Sequence, residues 1–579
     1  MKFFHVYNEE LFKGLEKNGL LNKDSGFKIQ NVFSVPRHLL FNNIAAKGGK
    51  LYNLIREGNI PFYVDRIAGG ITYFPYAYDK ALLREYSEML GDWFLGAQLH
   101  ESASNRRQSD WVTLRKRGGG NGPYDPEELR KVMDRPSSVT PEGKVLQALS
   151  QDHTDVYAKM RYAETYQEYM DEMRDMFQRR MDDVDGHILP VDSYYMATKI
   201  QDELGMKTFM PEVGSQIPLM RLQVAMARGM AKASKKTWGT YYECWHRTPS
   251  SPSGVSMPCF HVDVINEWYL TQETHTDDFT TFGKNGGSSR LLQDRIYYYS
   301  LMTGADCMAE EWGTNCSYED MQDFTLSEYG LVKKKFIDTA LQLQNVKAVI
   351  PFAIVLPKKY SCVCIREISN YPLGSNGTTY MEAPLSEEDQ AYFGHLRDVL
   401  RLFYCRNGKI YGNESHVLTN TRFGEVADII YEDASDETLR QYAYLIDATP
   451  DSSFAKAKAG SDLKILESAN LEVLESNMHK LIPQAMPCYV DGLCWVVSTD
   501  GSGKRYLSIF NNEGNMRTVE HGDTLDPEAD RVVTVTFKEA AELKVVKESL
   551  MVKGVEIQKV DTNTYKVKVP AAAFVIFEY

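Results

Sequence analysis

Short runs of apolar, β-branched and aromatic residues recur through the first two-thirds of the chain, each followed by a stretch of helical period or by a long loop. A chain patterned this way folds into a parallel sheet faced by helices, because every short apolar run must be covered on both sides. Eight runs read as strands, at 28–34, 61–66, 93–99, 187–192, 207–212, 239–245, 306–311 and 348–355. Helical patterns fall between them at 79–90, 155–181, 219–234, 290–303 and 326–344. Eight such units predict an α/β fold, a (β/α)8 TIM barrel with insertions. At 579 residues the chain is too long for one core. The texture changes near residue 385, and after about 485 only strand-like runs separated by Asp-Gly and Gly-Ser-Gly turns remain. The expected organisation is a catalytic barrel over 1–385, a small α/β domain over 386–484 and a C-terminal β-sandwich over 485–579.

Composition narrows the function classes. With 65 basic against 79 acidic residues the net charge is −14, which argues against a nucleic-acid partner. No apolar run reaches the ~18 residues of a membrane span, and no export signal is visible at the amino terminus, so a cytoplasmic protein with no membrane partner is expected. The nine cysteines form no spaced framework and read as free thiols. Gly118–Gly120 follows no apolar strand, so no phosphate-binding loop is present and no cofactor is implied.

In a barrel the active site forms at the carboxyl ends of the strands. The third run leads into His100-Glu101-Ser102, followed by Asn105; the fifth ends Pro211-Glu212-Val213-Gly214; the sixth ends Tyr242-Glu243-Cys244-Trp245; the seventh ends Glu310-Glu311-Trp312. The second run adds Asp65 and the fourth Asp192. Two convergent carboxylates without a cofactor are what glycoside hydrolysis needs, one as acid/base and the other as nucleophile or base. Six of the seven tryptophans lie between 93 and 312, near these runs, and aromatic faces suit sugar rings. Glu311, Glu212 and Glu101 are the catalytic candidates. Apolar neighbours around Glu212 point to a desolvated carboxyl suited to a general acid. By strand alternation Glu310 and Glu311 face opposite sides, and Glu311 is favoured for the lumen. His100, Asn105, Glu243, Trp245, Trp312, Glu310 and Asp65 are the expected substrate contacts. The alternative for any single carboxylate is a helix cap or a surface ion pair.

This order of parts, with glutamates in PEVG (211–214) and AEEWG (309–313) and a closing strand IPFAIVLP (350–357), resembles the β-galactosidase-type glycoside hydrolases of family 42 and their barrel relatives. The resemblance implies a retaining mechanism, an acid/base Glu in an Asn-Glu pair after the fourth strand, a nucleophile Glu after the seventh, and a homo-oligomer, a trimer formed through the middle domain. By position the nucleophile falls on Glu311. The fourth run ends Val191-Asp192-Ser193, with no Asn-Glu pair, which leaves the acid/base open between Glu212 and Glu101; Asn266-Glu267 makes Glu267 a further candidate.

The expected function is therefore an exo-acting, retaining glycosidase with an oligosaccharide or glycoside as its carbohydrate partner. Two other classes stay open. A metal-dependent barrel hydrolase or isomerase would draw on His100-Glu101, His261-Val-Asp263 and His275-Thr-Asp277-Asp278, and a non-catalytic carbohydrate-binding protein would keep the scaffold without the chemistry. The long segment 247–289 is expected to cover the pocket.

Overall fold

The computed structural model describes residues 1–29, 37–67, 78–100, 165–192, 195–213, 220–243, 289–311, 317–320, 322–361, 363–364, 385–405, 418–518 and 522–579. Eight parallel strands close into a barrel in chain order: β1 (Lys2–Tyr7), β2 (Ser25–Ile29), β3 (Phe62–Ile67), β4 (Phe94–His100), β5 (Ile188–Asp192), β6 (Thr208–Val213), β7 (Thr237–Glu243) and β8 (Cys307–Glu311). Their inner faces carry a closely packed plug of Phe4, Tyr63, Leu95, Leu189, Val191, Met210, Tyr241, Cys307 and Ala309. Among the described residues no helix is long and apolar enough to cross a membrane.

The count of eight strands holds, but two of its members change. The barrel opens with the amino-terminal KFFHVY, whose Phe4 and Val6 turn inward while Phe3, His5 and Tyr7 face the helices. The 348–355 run is no barrel strand. Residues Phe352–Leu356 form β9 of a separate parallel sheet, flanked by β10 (Ala427–Tyr431) and β11 (Tyr444–Asp447), with β12 (Ile465–Glu467) beyond. Every strand from the first predicted run onward therefore moves up one place, and Glu311 ends the eighth strand rather than the seventh.

Helix α1 (Met220–Ser234) joins the barrel to that second sheet. Gly229 lets it approach β10 so closely that a Cβ would stand 2.2 Å from the Ile429 carbonyl oxygen. At one end of α1 Arg221 is wholly enclosed, pairing with Glu425 and donating to the Thr419 carbonyl (3.0 Å), Thr421 Oγ1 (2.6 Å) and the Phe423 carbonyl (3.1 Å). Arg228, two turns on, pairs with Asp428 at 2.6 Å.

From Cys488 on the strands are antiparallel and form a four-stranded sheet and, with Lys347–Ala348 at its edge, a five-stranded one, with the hairpin Asn515–Thr518/Gly522–Leu525 beside them. They grip the barrel through α2 (Arg290–Met302), the helix that precedes β8. Asp523 accepts from Ser289 Oγ (3.2 Å) and from the Arg290 amide (3.1 Å). Asp294 accepts from Ser549 Oγ (3.0 Å) and the Leu550 amide (2.7 Å), and Arg295 donates to the Asn511 carbonyl (3.2 Å).

One irregularity in β4 sets the site. Its pairing with β3 slips between Phe62↔Phe94 and Tyr63↔Gly96, so Leu95 is an extra residue. Gly96 takes φ +89°, and a Cβ there would meet the His187 carbonyl oxygen at 2.4 Å. The bulge breaks the alternation: Leu95 points inward, Ala97 and Leu99 outward, and Gln98 and His100 inward again.

Candidate active site

Side chains from alternate barrel strands share a layer, and β4, β6 and β8 are alternate strands. Their inward-facing carboxyl-terminal residues are His100, Glu212 and Glu311. Phase determines this: Met210 and Ala309 are in the plug, so Glu212 and Glu311, two residues on, face the same way. His100 Nε2 lies 3.7 Å from Glu212 Oε1 and 3.9 Å from Glu311 Oε1. One donor atom from each of the three falls within 4.8 Å of the others. All three are buried, Glu212 completely.

The imidazole is held from below and beside. Gln98 Nε2 is 3.1 Å from His100 Nδ1, and the Tyr241 ring meets the imidazole edge-on with centroids 5.8 Å apart. Lys28, on the inner face of β2, places its ammonium 5.0 Å over the Tyr241 ring and donates to the Glu310 carbonyl at 2.8 Å. A barrel interior that holds a lysine, a histidine and two glutamates in one zone is costly unless the groups compensate one another.

Glu310 goes the other way. Its carboxylate lies on the outer face of β8, accepting from the Tyr297 hydroxyl and pairing with Lys333 on the helix α3 (Glu328–Ala340); Lys333 also donates to Ser317 Oγ at 2.6 Å. The structure thus brings Glu311 to the lumen and takes Glu310, an expected substrate contact, into a buried ion pair outside it. His5 is enclosed on the same outer side, and burial together with the Lys333 charge holds its pKa down to about 3. Folded His5 stays neutral while the unfolded chain takes up a proton below about pH 6.5, so stability contributed by this group is complete above that pH and drains away as pH falls towards 3. The stability difference between wild type and His5→Phe, measured by urea unfolding, is expected to shift by about 2 kcal/mol against wild type between pH 7 and pH 5. An unchanged difference would remove His5 from the acid response.

The other expected site residues divide by location. Asp65 lies in β3, and Glu243 ends β7 with its backbone in register with Glu311; their side chains lie outside what the structure describes. Glu101, Asn105, Trp245, Trp312 and Glu267 lie outside the described residues, as do His261, Asp263, His275, Asp277 and Asp278. Asp192 faces away from the lumen and accepts from Gln201 Nε2 at 2.7 Å. Two tryptophans are not at the mouth: Trp93 precedes the amino end of β4, and Trp238 packs in the outer core. The sequence reading missed Gln98, Lys28 and Tyr241. Their signal was polarity between apolar neighbours, Ala97-Gln98-Leu99 and Phe27-Lys28-Ile29.

The strand count also moves what the resemblance transfers by position. The fourth strand ends at His100, next to Glu101, and the seventh ends at Glu243.

No family model matches the chain, and no curated protein sequence matches it. Among solved structures it is similar to the catalytic module of a family 98 glycoside hydrolase from Streptococcus pneumoniae TIGR4, at 10% identity and a TM-score of 0.37 over 100% of this chain and 98% of that one. It is similar to a β-galactosidase from the Antarctic haloarchaeon Halorubrum lacusprofundi, at 10% identity and a TM-score of 0.39, covering 100% and 99%. A third is a GH5_18 protein from Bifidobacterium longum subsp. longum in complex with Manβ1-4GlcNAc, at 10% identity and 0.35 over 81% and 96%. All three structural neighbours are glycoside hydrolases, and at these scores the likeness carries no residue's role across to this chain.

Proposed function

We propose that the protein is a glycoside hydrolase that cleaves an oligosaccharide or glycoside with two strand-end glutamates, exo-acting and with retention. The observation that carries the reading is the convergence of Glu212 and Glu311 at the carboxyl ends of β6 and β8. Their donor atoms lie within 4.8 Å. Carboxyl groups in retaining enzymes stand about 5–5.5 Å apart, whereas inverting ones leave about 6.5–9.5 Å for a water. Glu311 would attack the anomeric carbon and form the glycosyl–enzyme bond. Glu212 would protonate the departing oxygen, then take the proton of the incoming water.

A second assignment within the same function is favoured by the corrected strand order. The positions that the family resemblance reserves for acid/base and nucleophile, after the fourth and seventh strands, are Glu101 and Glu243. One experiment decides. Wild type and the variants Glu101→Gln, Glu212→Gln, Glu243→Gln and Glu311→Gln are assayed on a panel of aryl glycosides and oligosaccharides, with azide added to rescue a lost nucleophile. Loss confined to Glu212 and Glu311 supports the first pair, loss confined to Glu101 and Glu243 the second. No cleavage of any sugar by wild type sinks the hydrolase reading.

A further inference from the structure

We propose that His100, Glu212 and Glu311 form a binding site for one divalent transition-metal ion, with Zn2+ the best match to the donors. The metal-dependent alternative read from the sequence drew on His100 with Glu101, not with Glu212 and Glu311. Three donors from three different strands converge here, one imidazole nitrogen and two carboxylate oxygens, with edges of 3.7 and 3.9 Å from the nitrogen to the oxygens. Bonds of about 2.0–2.2 Å in a tetrahedral site need donor–donor edges of roughly 3.4 Å, so the edges from the nitrogen, 3.7 and 3.9 Å, close by about half an ångström or less, and the edge between the two carboxylates, within 4.8 Å, closes by at most about 1.4 Å. Barrel strands hold the donors near that geometry before any ion arrives. Two carboxylates and a neutral imidazole carry two negative charges, which one divalent ion matches. The imidazole selects against Ca2+ and Mg2+, which prefer oxygen alone, and the carboxylates select against Cu+.

Gln98 supplies the independent observation. Its side chain is fully buried and its Oε1 has no hydrogen-bond partner, while its Nε2 stands 3.1 Å from His100 Nδ1. In that orientation Nδ1 accepts, and the imidazole proton sits on Nε2, facing the two carboxylates. Rotating the amide by half a turn keeps the same heavy-atom positions and lets Oε1 accept from Nδ1–H. The Nε2 lone pair then faces Glu212 and Glu311. An amide oxygen on the far nitrogen is the support that a metal-ligating histidine requires. Gln98 therefore serves two protonation arrangements of one site, and an ion selects the one in which its oxygen accepts from Nδ1–H and the Nε2 lone pair is free to ligate. Three protein donors leave a further coordination position for a water or a substrate hydroxyl. The effect on turnover, though not the binding, rests on the hydrolase reading with Glu212 and Glu311 as its pair: an ion on both carboxylates blocks hydrolysis.

The test is calorimetric titration of the chelator-stripped full chain with ZnCl2, alongside Gln98→Leu, His100→Gln and Glu212→Gln. One ion per chain is expected, with binding weakened at least about tenfold in Gln98→Leu and further in the two ligand variants. Titration of wild type with Co2+ reads the donors directly and needs no variant: visible bands of nitrogen and oxygen ligation are expected, without a thiolate charge-transfer band. Absence of saturable binding, a thiolate band, or wild-type affinity in His100→Gln and Glu212→Gln overturns the site. A wild type that binds Zn2+ but cleaves no glycoside, stripped or loaded, upholds the site and sinks the hydrolase reading.

Discussion

Glu311→Gln is expected to lower turnover by about a thousandfold or more while the chain folds and melts as wild type, because an amide of the same shape cannot attack an anomeric carbon. Its neighbour gives the opposite result. Glu310→Gln leaves Lys333 enclosed without its counter-charge, a loss on the order of 3–5 kcal/mol in stability, yet no reacting group changes. Two adjacent glutamates in one strand thus separate chemistry from stability, with kcat and urea midpoints as the readouts. Azide added to Glu311→Gln should restore part of the rate on an activated aryl glycoside. A wild-type kcat in Glu311→Gln ends its assignment as nucleophile and turns attention to Glu243.

An effect on stability of the same size is expected at Arg221. It is buried and donates to Glu425, Thr421 and two backbone carbonyls, and Glu425 is equally enclosed. Arg221→Met leaves Glu425 with only the longer contact to Arg228 Nη2 (3.5 Å) and removes a donor from Thr421 and two carbonyls in a buried interface, which costs about 3–5 kcal/mol. The double variant Arg221→Met/Glu425→Gln removes the under-compensated charge and should recover part of that loss, Arg228 keeping its pair with Asp428. Denaturant unfolding of the two singles and the double gives the coupling. Additive costs would show that the pair acts as two independent groups.

The barrel was legible because its strands are short apolar runs at regular spacing. One was misassigned for a physical reason. A fully buried parallel strand reads as a continuous apolar run wherever it sits, so IPFAIVLP in the second sheet is indistinguishable locally from a barrel strand. KFFHVY, with His5 and Lys2 among its apolar residues, drew no strand reading. Alternation was enough to separate Glu311 from Glu310, because β8 is regular. It was not enough in β4, where the extra residue at Leu95 shifts the phase and carries Gln98 and His100 inward. Glu212 was legible from its apolar neighbours; its meeting with His100 and Glu311 was not, because convergence of three strands far apart in sequence is a property of closure.

The grip of the last sheets on α2 fixes an order of events. Asp294 meets Ser549 across a sequence separation of 255 residues, and Ser289 meets Asp523 across 234. During synthesis the strands of the barrel emerge well before these partners, and until they do α2 presents a carboxylate and a guanidinium that the finished molecule buries. The barrel therefore waits on the far end of the chain, and a ribosome stalled after β8 would display every strand of the barrel and still hold an unfinished fold.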